Sequence, residues 1–258
     1  MVVTMRGEKV DLSALPAEVV WLDTAPSTND YVRRLPPQKT PLVALTWEQT
    51  EGRGRLGRTW ISPPGESLAL SLDLGGLVPG VMDDSWRGAL PLLIASELAS
   101  AIDQIIGVSS EVKWPNDVLI SGEKVAGILG EIPEPGRVIV GVGLNVWGAP
   151  EGEGVSSSTS LFAHQLNDTT VFANFLRGFL QSVIQRIRVV ADGVPDSDWL
   201  FIRSLLGTLE KEVVVSLPDG SEVRGIARDL DSSGRLVVKT DSGEQMVSAG
   251  DVTHLRTP

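Results

Sequence analysis

Residues 113–131 read KWPNDVLISGEKVAGILGE, and this stretch predicts a β-hairpin. Apolar residues dominate 118–120 and 124–132, and the short polar segment 121–123 separates the two runs. Two apolar runs joined by a few residues that include glycine are typical of antiparallel strands with a tight turn. The segment therefore predicts part of a β-sheet, with charged residues at the ends of its strands.

The sequence on either side predicts more strands and two long helices. Strands are expected at 18–22, 42–47, 68–74, 110–114 and 137–146. Apolar residues recur about every 3.6 positions at 86–106 and 170–190, which is typical of helices that face a core. We expect Pro91 in the first turn of the former helix, where a missing N–H costs little. Ser27 precedes a short apolar pattern and predicts a helix N-cap.

The character of the sequence changes near residue 210. Short apolar runs with turn residues between them predict strands at 213–217, 223–230, 235–239 and 245–248. A small all-β module, a five-stranded SH3-like β-barrel, is expected there. The predicted domains are therefore residues 1–209 and 210–258.

Composition excludes several classes of protein. The chain has 258 residues, no cysteine, two histidines and a formal net charge of −11. Disulfides, thiol nucleophiles and cysteine-ligated metals are excluded, and the acidic charge opposes non-specific nucleic-acid binding. No apolar stretch approaches the ~20 residues of a membrane span, and no signal peptide is visible. We expect a cytoplasmic protein with no membrane partner.

The segment GRGRLGR at 52–58 predicts an anion-binding loop. It matches the pattern G-x-G-x-x-G of dinucleotide-binding folds, but 62–65 reads SPPG where that fold requires a helix. Glycines expose backbone N–H groups, and arginines are permanently charged planar donors. Glu48 and Glu51 are the alternative partners for these arginines, in which case the loop would be purely structural.

A second charged cluster consists of Lys113, Asp117 and Lys124. A lysine that leads a buried strand is partly desolvated and can act as a fixed positive charge beside a phosphate or carboxylate. The alternative is a solvated hairpin with a surface lysine, and the spacing alone does not decide between them.

Taken together, four motifs resemble those of biotin protein ligases. They are Ser27-Thr28-Asn29, the run 49–58 with Trp60, the block at 113–131 and the strand GVGLNV at 141–146. The resemblance covers most of the chain in the family's order. It implies an α+β fold, in which a mixed β-sheet flanked by helices, like that of class II aminoacyl-tRNA synthetases, precedes the SH3-like barrel.

The resemblance also implies a two-step reaction. Biotin and ATP, the latter with Mg²⁺, would give biotinyl-5′-AMP and pyrophosphate. The biotinyl group would then pass to one lysine of the biotin carboxyl carrier protein domain of acetyl/acyl-CoA or pyruvate carboxylase. Because the first motif begins at Ser27, we expect a monofunctional ligase that has no N-terminal DNA-binding domain and does not bind DNA. Family members are monomers or homodimers.

The resemblance assigns roles to residues of this chain. Ser27, Thr28 and Asn29 would line the biotin pocket with Gln49, and Gly127 would leave room for the biotin chain. The loop 52–58, with Gly52 and Gly54, would close over biotin and the adenylate.

Charged and nucleotide-binding roles follow in the same way. The implied ligands of the carboxylate and phosphates, the adenine contact and the nucleotide contacts are Arg53, Arg55, Arg58, Lys124, Trp60, Asn116 and Asn145. Lys124 would lie beside the α-phosphate and the biotin carboxyl oxygen, and Arg53 would help it to offset the negative charge. Asp117 would orient the incoming lysine and help it to lose a proton. The resemblance assigns no metal ligands.

Three alternatives remain open. A lipoate-type ligase shares the fold and the chemistry. A non-catalytic biotin-binding regulator would not need both Lys124 and Arg53. An RNA-binding module built on the barrel is disfavoured by its acidic turns and by the absence of an aromatic stacking platform.

Overall fold

A computed structural model gives the fold of the chain. The described residues are 2–5, 8–37, 39–74, 77, 84–134, 136–151, 157–166, 168–190 and 193–255. Of these, 2–5, 8–9 and 84–87 are described by their backbone alone.

A seven-stranded mixed sheet forms the larger part of the molecule, in the order β3-β4-β5-β9-β8-β7-β6. Its strands are β3 (Glu18–Trp21), β4 (Leu42–Thr46), β5 (Ser67–Asp73), β6 (Ser110–Lys113), β7 (Asp117–Ile120), β8 (Glu123–Glu134) and β9 (Arg137–Asn145). Strands β3 and β4 are parallel, and the other neighbours are antiparallel. Every residue of β4 and β5 is buried, because both faces of the sheet are covered.

In the described part of the chain, four α-helices accompany this sheet. They are α1 (Thr28–Arg34), α2 (Asp84–Ala101), α3 (Thr169–Val189) and α4 (Asp196–Leu205). Ser27 caps α1 as expected, since its side chain accepts a hydrogen bond from the Asp30 N–H. The apolar face of α3 packs against α2, and a π-helical turn over Ile102–Ile106 extends α2.

Two expectations about α2 were wrong. Pro91 lies inside the helix rather than in its first turn, because the helix begins at Asp84. Proline has no amide N–H, so one hydrogen bond of the helix is missing there. In addition, Gly88–Ile106 is long and apolar enough to span a membrane by length and composition, with a mean hydropathy of 1.5. That apolarity serves the core, since 67% of this window is buried inside the protein.

A separate antiparallel sheet follows, in the order β13-β12-β11-β10-β14. Its strands are β10 (Glu212–Ser216), β11 (Glu222–Leu230), β12 (Leu236–Thr240), β13 (Gly243–Val247) and β14 (Asp251–His254). Four of the five correspond to the predicted strands. The mixed α/β architecture with a second, all-β sheet therefore agrees with the expected fold class.

The two sheets meet at Trp114, which is 1% exposed. Its backbone N–H donates to Thr208 Oγ1 at 2.9 Å, and its indole Nε1 donates to the carbonyl oxygen of Gly234 at 3.0 Å. Gly88 of α2 passes so close to the same turn that an added Cβ would overlap the Ser233 carbonyl oxygen. The C-terminal module is therefore packed directly against the strand pair that carries the 113–131 motif.

Candidate functional site

A cavity of about 350 Å³ opens over strands β5, β7, β8 and β9. All but one of the residues predicted for the site line it: Ser27, Thr28, Asn29, Gln49, Arg53, Gly54, Arg55, Arg58, Trp60, Asn116, Asp117, Lys124, Gly127 and Asn145. The exception is Gly52, which is buried behind Trp60, where its carbonyl oxygen accepts the Trp60 N–H at 2.9 Å. The loop arginines and Lys124 thus share one cavity.

One end of the cavity is neutral and polar. Gln49 Oε1 accepts hydrogen bonds from the Thr28 N–H at 2.9 Å and from Thr28 Oγ1 at 3.3 Å. Ser71 Oγ donates to Thr28 Oγ1 at 2.7 Å and lies 2.5 Å from Asn29 Oδ1. Ser27, Thr28 and Asn29 are each at most 4% exposed. Buried neutral donors and acceptors of this kind suit a ligand with its own N–H and C=O groups.

The floor of the cavity is a pair of glycines under a tryptophan ring. Gly127 and Gly143 face each other across β8 and β9. An added Cβ at Gly143 would lie 2.6 Å from Trp60 Nε1, and one at Gly127 would lie 3.1 Å from Trp60 Cζ3. The indole therefore rests on bare backbone, and its buried Nε1 has no hydrogen-bond partner. This arrangement explains why residues without a side chain are needed at both positions.

The opposite end of the cavity is cationic. Lys124 Nζ lies 2.7 Å from Asp117 Oδ1, with both side chains about three-quarters buried. The same ammonium is 5.4 Å from the centre of a Trp60 ring. The backbone of Lys124 is fixed on both sides, because its N–H donates to Ser157 and its carbonyl accepts from Thr159. The lysine is consequently a positioned charge rather than a solvated surface group.

Arg55 adds a second cation at this end. Its Nη1 donates to Asn116 Oδ1 at 3.1 Å, and Asn116 Nδ2 donates to the Ile128 carbonyl at 2.8 Å. Burial lowers the pKa of Arg55, although the nearby charge of Asp117 acts in the opposite direction. Burial also lowers the pKa of Lys113, again opposed by Asp117. Several desolvated cations around one carboxylate leave positive potential for an anionic ligand.

The two outer arginines of the loop pair with carboxylates. Arg53 Nη2 lies 2.7 Å from Asp30 Oδ1 and 3.4 Å from Glu131 Oε1. Arg58 forms an ion pair with Asp251, at the start of β14. These partners differ from Glu48 and Glu51, which the sequence had offered as the structural alternative.

The side chain of Asn145 forms its hydrogen bonds within the protein. Its side chain is 1% exposed, accepts from Ser67 Oγ at 3.2 Å and donates to the Thr159 carbonyl at 3.1 Å. It thereby connects β9 to the segment that holds the Lys124 backbone. A contact to nucleotide remains a prediction for this residue.

Sequence reasoning missed the acidic partners Asp30, Glu131 and Asp251. Asp30 follows the first motif directly, and Glu131 ends the 113–131 block, so both lay within recognised segments. Asp251 is in the C-terminal module, and nothing in its local sequence relates it to the loop.

A resident metal site is not apparent from the donor set. Among the residues that the structure describes, no group of three or more His, Cys, Asp or Glu is arranged to hold a metal ion. Asp117 is the only carboxylate besides Asp251 among the residues that line the cavity.

Chemically, the cavity suits an elongated ligand. A polar head with N–H and C=O groups fits the end at Thr28, an apolar body fits along Trp60, and an anionic group fits beside Lys124 and Arg55. Such a site can bring a carboxylate and a phosphate together, because fixed cations offset their mutual repulsion.

Comparison with protein families gives two matches. Residues 21–145 match the Biotin/lipoate A/B protein ligase family, and residues 208–255 match the Biotin protein ligase C terminal domain. The first segment contains β4 to β9, the last residue of β3 and most of the residues that line the cavity, and the second contains the five-stranded sheet.

Individual relatives agree with the family matches. A biotin--[acetyl-CoA-carboxylase] ligase of Mycobacterium tuberculosis is 38% identical over 221 residues, which are 83% of this chain and 79% of the relative. One of the same name from Paracoccus denitrificans is 31% identical over 88% of this chain and 96% of its own length. In structure, a biotin protein ligase from Aquifex aeolicus, solved with biotin and ATP, superposes with a TM-score of 0.75 at 23% identity. That match covers 93% of this chain and 99% of the other, and at this identity it supports the fold alone.

Proposed function

Because the chain belongs to the biotin protein ligase family, we propose that it activates biotin with ATP and transfers it to a carrier domain of acetyl-CoA carboxylase. It is an ATP-dependent ligase of the biotin--[acetyl-CoA-carboxylase] type. The observation that carries the proposal is the single cavity, with the Thr28–Gln49 hydrogen bonds at one end and the Lys124–Asp117 pair at the other.

In the first step a biotin carboxylate oxygen attacks the α-phosphorus of ATP. The bond from that phosphorus to the bridging oxygen breaks, and pyrophosphate leaves. The attacking and attacked groups are both anionic, so Lys124 and Arg55 stabilise the crowded transition state by electrostatic preorganisation. Mg²⁺ would be supplied as the MgATP complex, in which it would offset the charge of the phosphate oxygens.

In the second step the acceptor lysine attacks the acyl carbon of biotinyl-5′-AMP. A C–N bond forms, the C–O bond to the phosphate breaks, and AMP leaves. The amine must lose protons on the way, and an ordinary lysine has a pKa of about 10.4. Asp117 is proposed to orient this lysine and to accept a proton.

The remaining assignments of the site are part of the same proposal. Trp60 packs near the adenine, Asn116 and Asn145 contact the nucleotide, and Gly127 leaves room for the biotin chain. The loop 52–58 covers the mixed anhydride and protects it from water.

The polar end favours biotin over lipoate. A dithiolane ring has no N–H or C=O group to pair with Thr28, Asn29 and Gln49. A site that is built to form hydrogen bonds strongly rejects an analogue that lacks them.

Finer features of the molecule are proposed on the same basis. We place the domain boundary between residues 209 and 210, where the chain enters the five-stranded sheet. The larger domain is related to class II aminoacyl-tRNA synthetases, and the smaller one is an SH3-like barrel. A cytoplasmic location and the carrier domain of pyruvate carboxylase as a further substrate are also proposed.

The test is a labelling assay. The protein is incubated with MgATP, an apo carrier domain and either biotin or lipoate, and the modified lysine is located by mass spectrometry. We expect one biotinylated lysine and pyrophosphate release that depends on biotin. Equal transfer of lipoate, or pyrophosphate release without biotin, would overturn the proposal.

A further inference from the structure

The loop 52–58 carries three arginines, and the structure directs each of them to a different place. Arg53 points to α1 and β8, Arg55 points to Asn116 in the cavity, and Arg58 points to the C-terminal module. The three arginines therefore lie in distinct environments and do not form one cluster of equivalent cations.

The first end of the loop is fastened to the catalytic sheet. Arg53 Nη2 lies 2.7 Å from Asp30 Oδ1 and 3.4 Å from Glu131 Oε1. Both carboxylates also contact Arg33, and Glu131 accepts from Asn29 Nδ2 at 3.1 Å. This network ties the loop to the helix whose first residues form the polar end of the cavity.

The second end is fastened to a different unit. The two terminal guanidinium nitrogens of Arg58 donate to the carboxylate of Asp251, with Nη1 to Oδ1 at 3.0 Å. Asp251 is the first residue of β14, so the contact joins the loop to the C-terminal sheet. The pair is partly exposed, at 62% for the Arg58 side chain and 39% for that of Asp251.

Between these ends the loop closes on itself. The Gly54 N–H donates to the Arg58 carbonyl at 2.7 Å, and the Arg58 N–H donates to the Arg55 carbonyl at 3.1 Å. Leu56 and Gly57 both have positive φ, which produces the tight turn. Fixing Arg53 and Arg58 therefore also fixes Arg55, whose Nη1 hydrogen-bonds the neutral side chain of Asn116.

We propose that Arg53 and Arg58 act as positioning residues that hold the loop closed through Asp30, Glu131 and Asp251, and thereby position Arg55 at the cavity. This inference rests on the proposed function and adds a positioning role to the ligand contacts that the resemblance implied for Arg53 and Arg58. Both guanidinium groups pair with carboxylates of the protein, whereas Arg55 hydrogen-bonds the neutral side chain of Asn116. The C-terminal module thus acts on the retention of the adenylate through Asp251.

The test measures how fast biotinyl-5′-AMP leaves the enzyme. The variants are Asp30→Asn, Asp251→Asn and the double variant, with Glu244→Gln on the exposed strand β13 as the matched control. In each single variant we expect release to accelerate about threefold to fivefold, the size expected for a partly exposed ion pair. Single-turnover pyrophosphate release should change less than adenylate release, because the side chains of Lys124 and Arg55 themselves are retained.

Exchanging the charges of Arg58 and Asp251 distinguishes the loss of their ion pair from a general loss of structure. We expect Arg58→Asp to release the adenylate quickly and Arg58→Asp with Asp251→Arg to return towards the wild-type rate. Arg55→Ala should instead lower the rate of adenylate formation. Adenylate release at the wild-type rate in both Asp→Asn variants, or no recovery in the exchanged pair, would overturn the proposal. Absence of adenylate in the wild type would instead contradict the proposed function.

Discussion

Lys124 Nζ lies 2.7 Å from Asp117 Oδ1, and the two residues belong to neighbouring strands that are out of simple register. Asp117 pairs with Gly127 and Leu119 pairs with Lys124, with a shift between Val118 and Leu119. This irregularity lets a residue at the start of β8 reach the start of β7. A β-bulge commonly re-aims a side chain next to a functional site.

Lys124→Ala is expected to slow adenylate formation by about a hundredfold to a thousandfold, the range seen on removing one preorganised electrostatic donor. The reason is that Lys124 supplies the ammonium that lies 2.7 Å from Asp117 and 5.4 Å from the Trp60 ring, where the phosphate is proposed to bind. Biotin-dependent pyrophosphate release measures the effect. Lys239→Ala, an exposed lysine on β12, is the control and should retain full activity. A loss of less than tenfold at Lys124 would contradict its role.

Gly143→Ala is expected to weaken ligand binding at least tenfold, because the new methyl group would displace the Trp60 ring from the cavity floor. Isothermal titration with biotin measures the effect. Gly130→Ala is the matched control on β8, since its added Cβ would make only an ordinary contact with Pro91, at 3.5 Å. If the two variants bind equally well, Trp60 does not depend on the glycine floor.

Trp114→Phe is expected to destabilise the protein by about 1–3 kcal/mol, because it leaves the buried Gly234 carbonyl without its donor. Urea unfolding compares it with the wild type. Trp21→Phe, at a partly exposed position on the edge strand β3, should lower the free energy of unfolding by clearly less. Equal losses in the two variants would mean that the indole–carbonyl bond contributes little to stability.

His254→Gln is expected to reduce the loss of stability at low pH. Burial lowers the pKa of His254 to about 4, with the charges of Lys211 and Lys113 acting in the same direction. In the unfolded chain the pKa is about 6.5, so the unfolded state binds more protons between these values. The wild type therefore loses stability as pH falls from about 6.5 to about 4.

The histidine contribution is expected to be about 1 kcal/mol, since the ring is only partly buried and is screened by solvent. Thermal unfolding of both proteins at pH 7.5 and pH 5 isolates it. Relative to the variant, the wild type should be less stable at pH 5 than at pH 7.5. A gap that stays constant over this range would contradict a histidine that is neutral in the folded state.

Regular patterns made most elements predictable. The apolar period of α3 and the alternation in β5 depend on local spacing, so both lie within a few residues of their expected bounds. In contrast, α4 and the β1 (Val2–Met5) and β2 (Glu8–Asp11) hairpin were missed. Helix α4 is short and amphipathic, and its place is determined by packing against α2.

The site was predictable where its residues lie in contiguous motifs. Thr28, Lys124 and Trp60 were recognised from short segments, and all three line the cavity. The pairing of Arg58 with Asp251 was not accessible in this way. It depends on how two sheets pack, and no local pattern in the sequence encodes that distance.

The indole–carbonyl bond between Trp114 and Gly234 limits how modules can be exchanged between relatives. A chimera that takes the segment corresponding to residues 210–258 from another ligase inherits a foreign turn opposite α2. It should function only where that turn offers a main-chain acceptor and leaves clearance for Gly88. We therefore expect the grafting of this module to depend on that turn as well as on overall sequence similarity.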